Sequence, residues 1–259
     1  MSEAYAIAIV VGREAPVSSH LGDRAIVYAD GRMEGFIGGS CSRDIVRHQA
    51  IEAIAAGEPR LVRITADDAA AGDGRDVVTV PMHCKSEGAV DVFIEPNVPR
   101  RKLIVTGLTP VAQAIAELAP ALGFSVVRFV DRDELPDVDG TTIDALADYV
   151  DALDDYERER CAVVIASQGH YDEEALTAIA RHDVGYVGLL ASSPRGGEII
   201  DSLRSEGVDP QRLALVRYPA GIAIGARNAA DVAVSIFAEI IATNAARASK
   251  PPHVFSAAS

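Results

Sequence analysis

The sequence predicts an α/β chain in two parts, an N-terminal mixed α/β domain over residues 1–98 and a doubly wound parallel-sheet domain over residues 99–259. Two changes of texture carry this. Before residue 98, β-branched runs are joined by tight turns; beyond it, short apolar strands alternate with amphipathic helices. A third observation sets the border: Pro96-Asn97-Val98-Pro99-Arg100-Arg101 interrupts both periodicities. With 259 residues the chain suffices for two domains of roughly 100–200 residues each.

The elements follow in order. Ala4–Val11 is an apolar run ending at Gly12, and Ala25–Ala29 is another, joined through Asp30-Gly31 to Met33–Ile37. The Asp-Gly pair is a hairpin signal. From Ser42 to Ala56, Val46, Ala50, Ile51 and Ile54 recur at helical spacing, and Gly57 with Pro59 supplies the stop. Leu61–Thr65, Val77–Val80 and Ala89–Glu95 read as further strands, separated by an acidic loop (Asp67 to Asp76) and the broken stretch Pro81 to Gly88. In the second part Lys102–Thr106, Ser125–Val130, Ala162–Ser167 and Tyr186–Leu190 read as strands. Helices are expected over Pro110–Leu122, from Asp172 through Arg181, after Ser192-Ser193-Pro194, and from about Asn228 to Ala246. Pro120 is expected to shorten or kink the first of these. Asn228 and Asp231 have the spacing of an N-cap and its reciprocal partner. The 12 acidic residues between Asp131 and Glu159 predict a solvated loop with an exposed helix.

Composition narrows the function classes. A net charge of −14 argues against a nucleic-acid groove, which needs clustered Lys and Arg. No apolar run reads as the roughly 18 residues of a membrane span. The start Met1-Ser2-Glu3-Ala4-Tyr5 is acidic where a secretory signal is basic, so a cytoplasmic protein is expected. Three widely spaced cysteines suggest neither a disulfide framework nor a CxxC metal site.

The chemistry concentrates in Gly35-Phe36-Ile37-Gly38-Gly39-Ser40-Cys41-Ser42-Arg43, a glycine turn that delivers Cys41 to a helix start. The positive end of the helix favours a thiolate and an anion there, and Arg43 adds charge. Gly38, Gly39, Ser40, Cys41 and Arg43 are therefore candidate contacts, with Cys41 a candidate metal ligand. Cys84, between His83 and Lys85, is its natural companion. The second domain opens as dinucleotide folds do, a Rossmann-like strand-turn-helix with Gly107 in the turn and Asp131 at the end of the next strand. That order leaves room for NAD(P) or another nucleotide, and for an NAD(P)-dependent oxidoreductase as the alternative function. Yet Thr109 stands where the second glycine belongs, and Pro110 removes an N–H. His170, in Gln168-Gly169-His170-Tyr171-Asp172, and Arg195 follow later strands at the edge where ligands of such sheets bind.

Several blocks in fixed order resemble the XdhC/CoxI family, accessory factors of xanthine dehydrogenase and related molybdenum hydroxylases. They are Gly35–Cys41, Val80-Pro81-Met82-His83-Cys84 with Ile94-Glu95-Pro96, Gln168–Asp172, Tyr186–Ser192 and Pro219–Ala226. The resemblance implies a chaperone that binds the molybdenum cofactor, protects it during sulfuration and passes it to an apo molybdenum hydroxylase. A cysteine desulfurase and a second copy of the chain, as a homodimer, are further implied partners. No catalytic residue is implied. Cys41 and its glycine loop become cofactor contacts, with Cys84 beside them. The chain departs from many members at Ser18-Ser19-His20, where they carry basic residues, and at Thr109-Pro110, where they keep Gly-x-Gly.

Overall fold

The computed structural model describes residues 3–66, 77–81, 88–137 and 139–248. The chain divides into two compact units, Met1–Pro99 and Arg100–Ser259.

In the first unit, β1 (Tyr5–Glu14), β2 (Arg24–Tyr28), β3 (Met33–Gly35), α1 (Ser40–Ala56), β4 (Arg60–Thr65), β5 (Val77–Pro81) and β6 (Ala89–Asn97) form a six-stranded sheet with one helix. The sheet order is β3-β2-β1-β6-β4-β5, antiparallel except for the β4–β5 pair. Alternation in β1 buries Ala6, Ala8 and Val10, and β6 buries Val90, Val92 and Ile94. Against that face α1 places Val46, Ala50, Ala53 and Ile54; three of these belong to the stripe seen in the sequence, whose fourth member, Ile51, is only half-buried. Gly57, in the left-handed conformation, ends α1 and donates its amide to Ala53. The Asp30-Gly31 hairpin forms as expected, with Ala25 opposite Gly35.

The second unit has β7 (Arg101–Thr106), α2 (Pro110–Leu118), β8 (Phe124–Val130), β9 (Thr141–Thr142), α3 (Leu146–Asp151), α4 (Asp155–Arg160), β10 (Ala162–Ile165), α5 (Asp172–Ile179), β11 (Tyr186–Leu189), α6 (Ser193–Ser205), α7 (Pro210–Leu213) and α8 (Ala229–Ala248). Its parallel sheet runs β11-β10-β7-β8-β9, so the strand order reverses between β7 and β10. That reversal opens a crevice at the carboxyl ends of the two central strands. Apolar side chains pack on both faces. Leu103, Val105 and Val164 lie with α2 and α8; Ile104, Val163 and Ile165 lie with α3, α5 and α6. Pro120 converts the end of the first helix into a 3₁₀ turn, Ala119–Leu122, closed by Gly123.

Two expectations are corrected. The acidic stretch 131–159 is not simply solvated: it contributes Ile143, Leu146, Val150 and Leu153 to the core, an apolar row interleaved with the aspartates. And Ala229–Arg247 is long and apolar enough to cross a membrane by length and composition, with mean hydropathy 1.4. In this fold Ala233, Ile236, Phe237 and Ile240 of α8 pack against the sheet core, while Val234 and Ile241 are exposed.

Candidate functional site

In the first unit the glycine turn between β3 and α1 is held from beneath by a residue the sequence marked only as part of the Ser18-Ser19-His20 departure from the family. Ser19 is buried, and its hydroxyl donates to the Ile37 carbonyl at 2.8 Å; Arg13 Nη1 donates to the Ser19 carbonyl at 3.2 Å. Gly38 has φ +137, and a Cβ there would stand 2.6 Å from Ser19 Oγ. No side chain other than hydrogen fits that position. Gly39 is the N-cap of α1 and supplies no side-chain cap, and the first turn contains no acidic residue. A Cβ on Gly39 would meet only Ser18 Oγ, at 3.9 Å. The N-cap residue of this 17-residue helix thus supplies no side chain to its positive end, and no carboxylate stands in its first turn.

Ser40 and Arg43 are exposed on the first turn and Cys41 is half-buried. Arg43 Nη2 donates to the Met33 carbonyl at 3.1 Å, which ties its charge to β3. The thiolate expected at Cys41 is not the state in this structure, where the residue is disulfide-bonded. Cysteine spacing does not show which sulfurs meet in space, so the sequence alone favoured a thiolate here over a disulfide. Cys84 lies outside the described residues. Cys161 is a free thiol, almost fully buried at the start of β10, and burial pushes its pKa up to about 12. Among the described residues no group of three or more His, Cys, Asp or Glu is placed to hold a metal ion.

In the second unit Gly107, Asp131 and His170 reach the same carboxyl edge. The Gly107 amide donates to the Phe129 carbonyl at 2.9 Å, joining the ends of β7 and β8. Its φ is +97, and a Cβ would lie 2.6 Å from the Ala166 carbonyl oxygen and 2.9 Å from Ser167 Cα. Glycine is therefore required by the close passage of the backbone after β10. Thr109 is the N-cap of α2, and its hydroxyl accepts the Ala112 amide at 3.2 Å. With Pro110 next to it, the donors that hold a pyrophosphate in dinucleotide folds are largely absent here. Asp131 is exposed; its Oδ1 accepts the Asp133 amide at 3.4 Å, and its carbonyl accepts the Glu134 amide at 3.1 Å.

His170 is exposed, and only its amide is engaged locally, donating to the Ser167 carbonyl at 3.3 Å. Ser167, His170 and Asp172 form no triad, because the Ser167 hydroxyl donates directly to Asp172. Tyr171 bridges two loops through its hydroxyl, which donates to Glu134 Oε2 at 2.9 Å; burial, then that bond, raises its pKa. Arg195 sits close to Gly169, where a Cβ would come within 3.1 Å of its Nη2, and its guanidinium makes no ion pair with a described residue. Glu239 of α8 accepts the hydroxyl of Tyr186, the first residue of β11, at 2.7 Å and the Gly221 amide at 2.8 Å. Glu239 thereby joins the segments Tyr186–Ser192 and Pro219–Ala226, a link sequence periodicity does not reveal.

Comparison with known proteins follows these two units. Residues 2–65 match the XdhC and CoxI family, and residues 103–240 match the XdhC Rossmann domain. The chain is 29% identical over 241 residues to the uncharacterized protein YqeB of Escherichia coli K12, covering 92% of this chain and 43% of that protein. It is 27% identical over 159 residues to a probable xanthine dehydrogenase subunit of Bacillus subtilis 168, covering 59% of this chain and 46% of that protein. The chain thus spans less than half the length of these curated relatives. A crystal structure of a xanthine dehydrogenase from Bacillus halodurans superimposes with a TM-score of 0.46 and 18% identity, over 97% of this chain and 95% of that one. Because the matched Rossmann segment alone covers more than half of its residues, the chain belongs to the XdhC and CoxI family.

Proposed function

We propose that the chain is a loading factor for the molybdenum cofactor of a xanthine dehydrogenase-like hydroxylase. It takes up the cofactor, shields it while its sulfur ligand is installed, and passes it to the apo-hydroxylase. Family membership and the name of the Bacillus subtilis relative support this reading. The observation that carries it is the start of α1, where a glycine N-cap with open space above it presents an uncapped helix end beside Cys41. The cargo is an anionic, oxidation-prone pterin dithiolene phosphate, and such an end suits its negative charge.

Gly38, Gly39 and Ser40 would border the cargo and Cys41 would contact it. Reduction of the Cys41 disulfide by a cellular dithiol, which is itself oxidised to a disulfide, supplies the thiol whose anion the helix end stabilises. In this reading a cysteine desulfurase supplies the cargo's sulfur, and the protein works in the cytoplasm as a homodimer. The alternative, an NAD(P)-dependent oxidoreductase, has the poorer site: Thr109 already takes the Ala112 amide and Pro110 has none to give.

The test is activation of an apo-hydroxylase by the reduced protein, comparing wild type with Gly39→Asp and Cys41→Ser. Gly39 has φ −65 and ψ 176, which aspartate adopts readily, so Asp caps α1 and preserves the fold while placing a carboxylate where the cargo's charge would sit. Activation lost in both variants, at a melting temperature no lower than that of wild type, supports the reading. Activation by Gly39→Asp equal to wild type contradicts it.

A further inference from the structure

A cavity lies at the opposite end of the parallel sheet, where β11 begins, away from the carboxyl edge. It encloses about 280 Å³, close to the lower bound of small-molecule sites, about 300 Å³. Its apolar lining includes Leu176 and Ile179 from α5, Val187 from β11, and Leu215 and Val216 from the segment after α7. Leu215 is 50% exposed, a large apolar side chain left half bare at the cavity.

The charge around this apolar slot is unusual for a protein of net charge −14. Arg212, Arg217 and Arg247 all line it, as does His182. Asp183 pairs with Arg212 at 3.1 Å and with Arg247 at 3.7 Å, and Arg247 Nη2 also donates to the Val184 carbonyl at 3.2 Å. His182 is paired separately, with Asp151 at 2.5 Å. Arg217 makes no ion pair with any described residue; its backbone is fixed, the amide donating to the Val187 carbonyl and the carbonyl accepting the Leu189 amide, both at 2.9 Å. Two guanidinium groups therefore share one carboxylate, and a third, Arg217, stands beside the same apolar floor. Glu239 makes no ion pair with them among the described residues; its Oε2 accepts the Tyr186 hydroxyl and the Gly221 amide.

We propose that this cavity binds a small organic anion: an acidic head, carboxylate, phosphate or sulfonate, on Arg217, and an apolar or aromatic body against Leu176, Ile179, Val187 and Leu215. The planar guanidinium fork suits an oxyanion head, and the two arginines shared by Asp183 keep the local potential positive. A neutral apolar ligand would leave Arg217 unused, and inorganic phosphate would leave the apolar lining wet. This site is separate from the α1 turn of the proposed function and does not rest on it.

The test is calorimetric titration of the full chain with phenyl phosphate, benzoate and benzenesulfonate, with benzamide and inorganic phosphate as controls. One aryl anion is expected to bind once per chain, at least about tenfold more tightly than either control. Arg217→Gln and Leu215→Asp, both at exposed side chains, should each weaken that binding about tenfold with the melting temperature unchanged. Gly39→Asp should leave it as in wild type, which separates this cavity from an anion site at α1. The proposal is overturned if no aryl anion saturates the protein up to about 10 mM, or if binding survives both cavity variants. It is equally overturned if Leu215→Asp abolishes a concentration-dependent dimer while no aryl anion binds, since that assigns the face to a second copy of the chain.

Discussion

Replacing Gly107 by alanine separates packing from ligand binding at the turn that opens the second unit. The residue has φ +97, outside the range that L side chains accept, and holding a non-glycine residue there costs about 1–3 kcal/mol. The new methyl would also stand 2.6 Å from the Ala166 carbonyl oxygen and 2.9 Å from its carbonyl carbon. Both are backbone atoms of a chain that pairs in register with β7, Val164 opposite Val105 and Ile165 opposite Thr106, so neither can swing aside as a side chain would. Overpacking of this kind costs about 1–3 kcal/mol more. The expected loss is therefore about 2–6 kcal/mol, felt where β7 meets β10. Urea unfolding followed by circular dichroism, with amide exchange read at Val105 and Ile165, measures it. A loss below about 1 kcal/mol, with protection of those amides intact, would refute the packing argument and return Gly107 to the status of a ligand-binding glycine.

Other predictions follow from single contacts. Ser19→Ala removes the hydroxyl under the Ile37 carbonyl and should cost about 1–3 kcal/mol in the first unit, read by urea unfolding; an unchanged midpoint would mean the turn does not depend on it. Glu239→Ala strips the acceptor shared by Tyr186 and Gly221 and should cost about 1–3 kcal/mol, while Glu239→Gln, which keeps an acceptor oxygen, should cost less; equal losses would contradict the network. Cys161, buried with its pKa pushed up to about 12, should resist alkylation in the folded protein at pH 8 and react only after unfolding. Because the folded thiol holds its proton above the pH where the unfolded one loses it, stability should fall as pH rises from about 9 toward 12. Tyr171 and Tyr186, also raised by burial, act in the same direction, so Cys161→Ala should flatten the decline only in part.

Much of the architecture was legible because its causes are local. Apolar spacing located α1, the Asp30-Gly31 pair announced the hairpin, and Asn228 does cap α8, its Oδ1 accepting the Asp231 amide at 2.9 Å. The return bond was displaced by one residue: Asp231 Oδ2 accepts from the Arg227 amide at 3.1 Å, not from Asn228. What the sequence hid was long-range. Nothing in the spacing of Ser19 and Ile37 says that a hydroxyl 18 residues earlier holds the glycine turn. Glu239 looks like one more acid on an exposed helix until Tyr186 and Gly221 meet it. Acidic composition masked the apolar row of Ile143, Leu146, Val150 and Leu153, since charge density and helical periodicity coexist in one segment. The arginines of the β11 cavity come from two separate segments, Arg212 and Arg217 around the end of α7 and Arg247 in α8, and converge only in the fold.

The central claim is that the turn before α1 receives the molybdenum cofactor once Cys41 is reduced. The most direct measurement is the molybdenum and pterin content of the chain purified anaerobically from a molybdate-replete host, with and without a dithiol reductant. The account predicts metal and pterin together in the reduced wild-type protein, and neither in the oxidised protein or in Cys41→Ser. Equal contents in all three, or none in the reduced wild type, would contradict it.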